Sequence, residues 1–280
     1  MRLSQRLALI YVRTKFKLLS SLSPRKAAEK AFTLFCTPQH RNLKNLPPIF
    51  EKAEKIKFNF QQYTISGYRW NHGAGKKVLI AHGFESSVVN FDHFVNPLIN
   101  KGYEVLAFDA PAHGRSTGKT LNAVIYQEFL TYIYEHYGPI QSFITHSFGG
   151  LCLSLALENL PHTKDHKVVF VAPAVETATA IDNFFGLLKL DAGIRKEFDQ
   201  LIFEIGGHYP EWYSLSRIAP RIRAQVLFLQ DKDDHMTPLK DVEPIMKNKY
   251  PNFQFVISEG LGHRRIYRDQ GSAKTIIDFL

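Results

Sequence analysis

At 280 residues the chain is long enough to build one large domain around a sizeable core. A hydrophobic content of 45% and a charged content of 22% exclude a disordered or fibrous chain. The net charge of +9 sits at the front: residues 1–60 hold 13 Lys/Arg against 3 Asp/Glu, and the remaining 220 hold 22 against 23. The body is therefore near neutral, which argues against a nucleic-acid surface, and no nucleic-acid partner is expected.

In chain order, residues 1–54 read as a basic, helical N-terminal extension. The apolar run from Leu7 to Val12 is closed off by Arg6 and Arg13, with Lys15 and Lys17 beyond. It is too short for a secretory core of about 7–15 apolar residues or a span of about 20. Leu3, Leu7, Ile10 and Phe16 fall near helical spacing and predict a basic amphipathic helix. Two readings stand side by side: packing on the domain surface, or a weak contact of residues 1–30 with anionic lipid. Pro47-Pro48 then mark a turn before the first strand.

From residue 55 onward strand-like and helix-like segments alternate. Segments 55–60 and 63–70 predict an antiparallel pair. Segments 78–81, 105–108, 142–145, 168–171, 226–229 and 253–257 are short β-branched apolar runs, as in strands buried on both faces. Helical stretches are expected near 91–102, 121–137, 148–160, 239–249 and 271–280. The fold class is α/β: a mostly parallel eight-stranded sheet flanked by helices. From Pro173 to Arg223 the alternation breaks, and about 174–223 is expected to be an inserted helical lid. Its aromatic residues, Phe184 and Trp212 among them, are expected to line an apolar pocket.

Chemistry gathers where predicted strands end, the edge at which such sheets place their sites. In Phe143-Ile144-Thr145-His146-Ser147-Phe148-Gly149-Gly150 an apolar run stops at a serine and a helical run begins. A hydroxyl on that turn projects from the sheet, and the amides after it open a helix N-terminus. The usual pattern is G-x-S-x-G; Thr145 stands in place of the first glycine and requires a local adjustment of helix against strand. Other strand ends carry His82-Gly83-Phe84, Asp109 to Ser116, Asp231 to Pro238, and Glu259 to His263. A serine, an acid and a histidine thus occur in the order Ser…Asp…His. Asp231, Asp233 and Asp234 all compete for the acid. Cys36 and Cys152 give neither a disulfide framework nor metal spacing, which points to a reducing cytoplasm and to no metal. Gly73 and Gly75 lack a following Gly-Lys-Ser/Thr and read as a turn, so no cofactor is expected.

Taken together, the His-Gly, the Asp-x-x-x-His-Gly-x-Ser loop, the serine turn, the Asp four residues before Pro238 and the late Gly-His resemble the α/β-hydrolase-fold superfamily over about residues 55–280. The resemblance implies an esterase-like serine hydrolase with Ser147 as nucleophile, His263 as base and Asp234 as the acid that orients it. It also implies an oxyanion hole from the backbone N–H groups of Phe84 and Phe148. His82 and His146 are expected beside Phe184 and Trp212 in the substrate pocket. The expected partner is a small apolar acyl compound, cleaved as an ester. Thioester cleavage or acyl transfer by the same triad, and a non-catalytic ligand-binding protein on this fold, are the alternatives.

Overall fold

The computed structural model describes residues 3–41, 43 and 45–280, with side chains from Arg6 onward, so the expected role of the Leu3 side chain lies outside the described part. Eight strands form one sheet: β1 (Glu54–Phe60), β2 (Tyr63–Trp70), β3 (Lys76–Ala81), β4 (Tyr103–Phe108), β5 (Ser142–His146), β6 (Lys167–Val171), β7 (Gln225–Asp231) and β8 (Phe253–Ser258). The helices are α1 (Leu3–Leu22), α2 (Pro24–Phe35), α3 (Asp92–Asn100), α4 (Ala123–Tyr137), α5 (Phe148–Leu157), α6 (Thr177–Leu188), α7 (Ala192–Gly206), α8 (Leu215–Ile218), α9 (Leu239–Lys247), α10 (Gly262–Arg265) and α11 (Gln270–Phe279). Among the described residues no helix is long and apolar enough to cross a membrane.

The sheet order is β1-β2-β4-β3-β5-β6-β7-β8. β2 pairs antiparallel with both β1 and β4, and every other pairing is parallel. Strand chemistry follows position. All six residues of central β4 are buried, whereas edge strand β1 alternates and has mostly exposed or half-buried residues. Ile80, Val105, Ile144, Val169 and Leu229 join Phe94, Val95 and Leu98 of α3 and Ile276 of α11 in one apolar cluster. Helix α5 is buried from Gly149 to Leu157, so the element after the serine turn is fixed by packing along its length.

Two compact units emerge, with boundaries other than those expected. The sheet unit is Pro38–Val175 with Ser214–Leu280. Residues 38–54 belong to it, because Phe50 packs edge-on against Tyr68 and Trp70, and the Trp70 indole donates to Ile49 O at 2.8 Å. The Arg41 guanidinium also donates to the carbonyls of Ala112, Ser116 and Gly118, tying down the loop after β4. Helix α8, expected within the lid, belongs here as well.

The second unit joins α1 and α2 to Glu176–Tyr213. Helices α1 and α2 of the extension and α6 and α7 of the insertion thus belong to one helical unit. Phe32 and Phe35 of α2 meet Phe184 and Phe198 with ring centroids 5.2–5.8 Å apart. Arg25 forms a forked pair with Glu204 at 2.6 and 2.9 Å, and Ser20 donates to Asp191 at 2.7 Å. Asp191 also caps α7 by accepting from Ile194 N.

Candidate active site

Between β5 and α5 the chain reverses at one residue. Ser147 has φ 53° and ψ −122°, a positive φ that a non-glycine side chain adopts only when its surroundings enforce it. The enforcement is visible: Ser147 N donates to Val171 O, and Ser147 O accepts from Gly150 N and Ala174 N. Space is as tight as the bonding. A Cβ on Gly149 would lie 2.6 Å from the carbonyl oxygens of Ala81 and His82, and one on Gly83 would lie 2.9 Å from the Ser147 Cβ. Thr145 fits without disturbing the turn. It is fully buried, its hydroxyl donates to Val169 O at 3.0 Å, and Gly150 leaves it room, since a Cβ there would sit 3.2 Å from Thr145 Oγ1.

The Ser147 hydroxyl lies 3.0 Å from His263 Nε2, and His263 Nδ1 lies 2.8 Å from Asp234 Oδ2. A carboxylate only accepts, so the Nδ1 proton of a neutral His263 points at Asp234 and Nε2 keeps its lone pair for the serine hydroxyl. The Asp234 side chain is fully buried and that of His263 is 9% exposed. Burial alone would raise the Asp234 carboxyl. Hydrogen bonds from the His263 ring and from the Thr237 N–H and hydroxyl outweigh it and hold the group below the usual carboxylate range. Thr237 also lies 3.1 Å from Ala172 O, which links this loop to the end of β6. Only the spacing Asp-x-x-Thr, a local turn motif, signals Thr237 in the sequence.

The two other aspartates hold the loop that carries His263. Asp231 accepts from Asp233 N and Gly262 N through one oxygen, and from Ser258 Oγ (2.6 Å) and Leu261 N (3.1 Å) through the other. Asp233 accepts from Gly260 N at 2.8 Å. Against the burial that would raise it, these donors keep the Asp231 carboxyl below its ordinary value. Three neighbouring carboxylates thus divide the work, with Asp234 on the imidazole and the others on the backbone beneath it.

Comparison with known proteins fits this architecture. The profile of the family described as "Serine aminopeptidase, S33" matches residues 73–202. The Bacillus subtilis (strain 168) protein YqkD is 24% identical over 256 residues, covering 82% of this chain and 81% of that protein. The structure of the Pyrococcus furiosus esterase Pf2001 superposes with a TM-score of 0.65 at 20% identity, covering 88% of this chain and 97% of that one. Mouse alpha/beta hydrolase domain-containing protein 10 gives 0.59 at 13%, covering 81% and 96%. The chain has the α/β-hydrolase fold.

Within this hydrolase fold the predicted pocket histidines are structural. His82 has no exposed surface; its Nε2 accepts from Ala110 N, so its Nδ1 carries the proton and donates to Gly83 O. Burial drives its pKa down to about 4, and neither ring nitrogen is left for a substrate. His113 is tied in the same way between Glu85 N and Pro111 O and is pushed down to about 3. His146 donates from Nε2 to the carbonyl of His263 at 2.9 Å, bracing the backbone of that residue. Burial, with the neighbouring His263, drives it to about 3, and its buried Nδ1 has no partner among the described residues.

Asp109 is likewise architectural: its carboxylate accepts from Val88 N and Arg115 N. Phe84 and Phe148 are half-buried with rings edge-to-face at 5.9 Å, and Phe84 also meets the His113 ring. Among the described residues neither the Phe84 nor the Phe148 amide donates to a protein acceptor. Phe184 and Trp212 belong to the helical unit, where Phe184 packs on Phe35 and Phe185 and Trp212 stacks on His208 at 3.9 Å. Cys36 and Cys152 are buried, and burial raises both thiols, Cys36 to about 12, so neither supplies a thiolate. No three His, Cys, Asp or Glu side chains among the described residues form a metal-binding group.

Proposed function

We propose that the protein is a serine hydrolase that cleaves carboxylic esters of small to medium apolar acyl groups through an acyl–Ser147 intermediate. The observation that carries this reading is the hydrogen-bonded line Ser147 Oγ–His263 Nε2 (3.0 Å) and His263 Nδ1–Asp234 Oδ2 (2.8 Å), set on a turn with φ 53°. His263 Nε2 takes the hydroxyl proton as Ser147 Oγ bonds to the ester carbonyl carbon, and the carbonyl electron pair moves onto oxygen. The unclaimed amides of Phe84 and Phe148 receive that oxyanion, a service worth on the order of 10²–10³ in rate per donor. As the tetrahedral species collapses, His263 returns the proton to the departing alkoxide. Water then repeats the cycle, releasing the acid and restoring the serine.

The apolar acyl preference rests on the two phenylalanine rings carried by the oxyanion residues. Ester cleavage draws support from the likeness to Pf2001, which is named an esterase. A cytoplasmic location belongs to the same proposal and rests on two buried, free cysteines. The test is a panel of p-nitrophenyl esters of increasing chain length, run beside thioesters and amino-acid p-nitroanilides. Fastest turnover on short to medium esters is expected. Turnover confined to the anilides or thioesters would replace the ester reading, and no turnover of any would favour a non-catalytic ligand-binding protein.

A further inference from the structure

Helix α1 has two apolar faces, and the helical unit uses one of them. Phe16 is buried, Arg13 donates to Leu187 O at the end of α6, and Ser20 bonds to the cap of α7. The opposite face carries Leu7, Tyr11, Leu18 and Leu22, which helical spacing puts in one row. These side chains are 59%, 68%, 63% and 83% exposed. Beside the row runs an open hollow of about 410 Å³, lined by Tyr11, Thr14, Lys15, Leu18, Leu22 and Lys30.

Charge identifies the occupant. Helix α1 holds Arg6, Arg13, Lys15 and Lys17 and no acid, and the first acidic residue of the chain is Glu29. Among the described residues neither Lys15 nor Lys30, which flank the hollow, has an acidic partner. A second copy of α1 would bring like charges together along an apolar seam. A layer of anionic lipid meets both features at once, with acyl chains against the leucines and phosphates against the lysines.

We propose that this face docks the protein on an anionic lipid surface, with α1 lying in the interface plane. The helix rests on the membrane and does not span it. This contact is independent of the hydrolytic chemistry.

The test is sedimentation of the full-length protein with phosphatidylcholine vesicles, with and without phosphatidylglycerol. Wild type should sediment with the anionic vesicles only and be released by high salt. Removing a basic residue near such a surface costs about fivefold in affinity. The exposed double substitution Lys15→Glu/Lys30→Glu should therefore weaken binding by about 25-fold or more, and Leu18→Ser/Leu22→Ser should abolish it. Both variants should keep wild-type ester hydrolysis in vesicle-free buffer, which separates a docking defect from misfolding or a failed triad. Equal sedimentation with neutral vesicles, no sedimentation of wild type, or variants that bind as wild type does would each overturn the proposal. A wild-type dimer in analytical ultracentrifugation that Leu18→Ser/Leu22→Ser dissolves would instead assign the face to a second copy.

Discussion

Replacing Asp231 by Asn separates the aspartate that holds the loop from the one that holds the imidazole. The Asp231 carboxylate accepts four hydrogen bonds, two at each oxygen. An Asn oxygen can keep the Asp233 and Gly262 amides. The new NH₂ then faces the Leu261 N–H, donor against donor, while the Ser258 hydroxyl can rotate to accept. One half-buried amide is left unsatisfied, at about 1–3 kcal/mol, and the loss of charge weakens the bonds that remain. Stability should fall by about 2–4 kcal/mol, read as a shift in the urea midpoint.

The same change loosens the segment from Ser258 to Gly262 just before His263. A displacement of about 1 Å there would lower kcat by roughly 10² with KM little changed, because Asp231 touches no substrate. Asp234→Asn should do the reverse: a larger kcat loss, on the order of 10⁴, because the imidazole is left without its orienting acceptor. If Asp231→Asn instead lost about 10⁴ in kcat at unchanged stability while Asp234→Asn stayed active, the division of labour among these aspartates would be wrong.

Gly149→Ala should prevent folding or lower stability by about 3 kcal/mol or more, since its Cβ would meet two backbone oxygens at 2.6 Å; a wild-type melting temperature would contradict the packing described. Thr145→Gly, which restores the usual elbow sequence, should cost about 1–3 kcal/mol through the lost bond to Val169 O and the added chain freedom, with hydrolysis retained; a stabilised variant would show that the threonine is strained. Stability should also fall as pH drops. His82, His113 and His146 are held neutral with pKa values near 4, 3 and 3, so below about 6.5 the unfolded chain binds protons that the fold refuses. Each contributes a positive slope of a little over 1 kcal/mol per pH unit. Asp109, raised by burial to about 6, works in the opposite direction between about pH 4 and 6 and offsets one of them. Urea midpoints that stay flat from pH 7 to 5 would contradict this assignment.

The sheet was legible because its central strands are buried on both faces and must be spelled in unbroken apolar runs such as Val168–Val171. The serine turn was legible because tight backbone approach demands glycine at 149 and 83, and the order of strand-end residues does the rest. Helix partnership was not legible. Arg25 and Glu204 lie 179 residues apart, and nothing local in either helix announces the other. The histidines show a second limit: His82 and His146 stand at strand ends just as pocket residues would, and only their bonded ring nitrogens mark them as architecture. The clamping by Asp231 and Asp233 was hidden for a related reason: apart from the Ser258 hydroxyl their partners are backbone amides, which any residue supplies.

The most direct test of the triad is the mass spectrum of the protein after reaction with a fluorophosphonate. A single adduct on the peptide containing Ser147 is expected, absent in Ser147→Ala and strongly slowed in His263→Ala. Wild-type protein that stays unlabelled, or an adduct on a serine other than Ser147, would contradict the account.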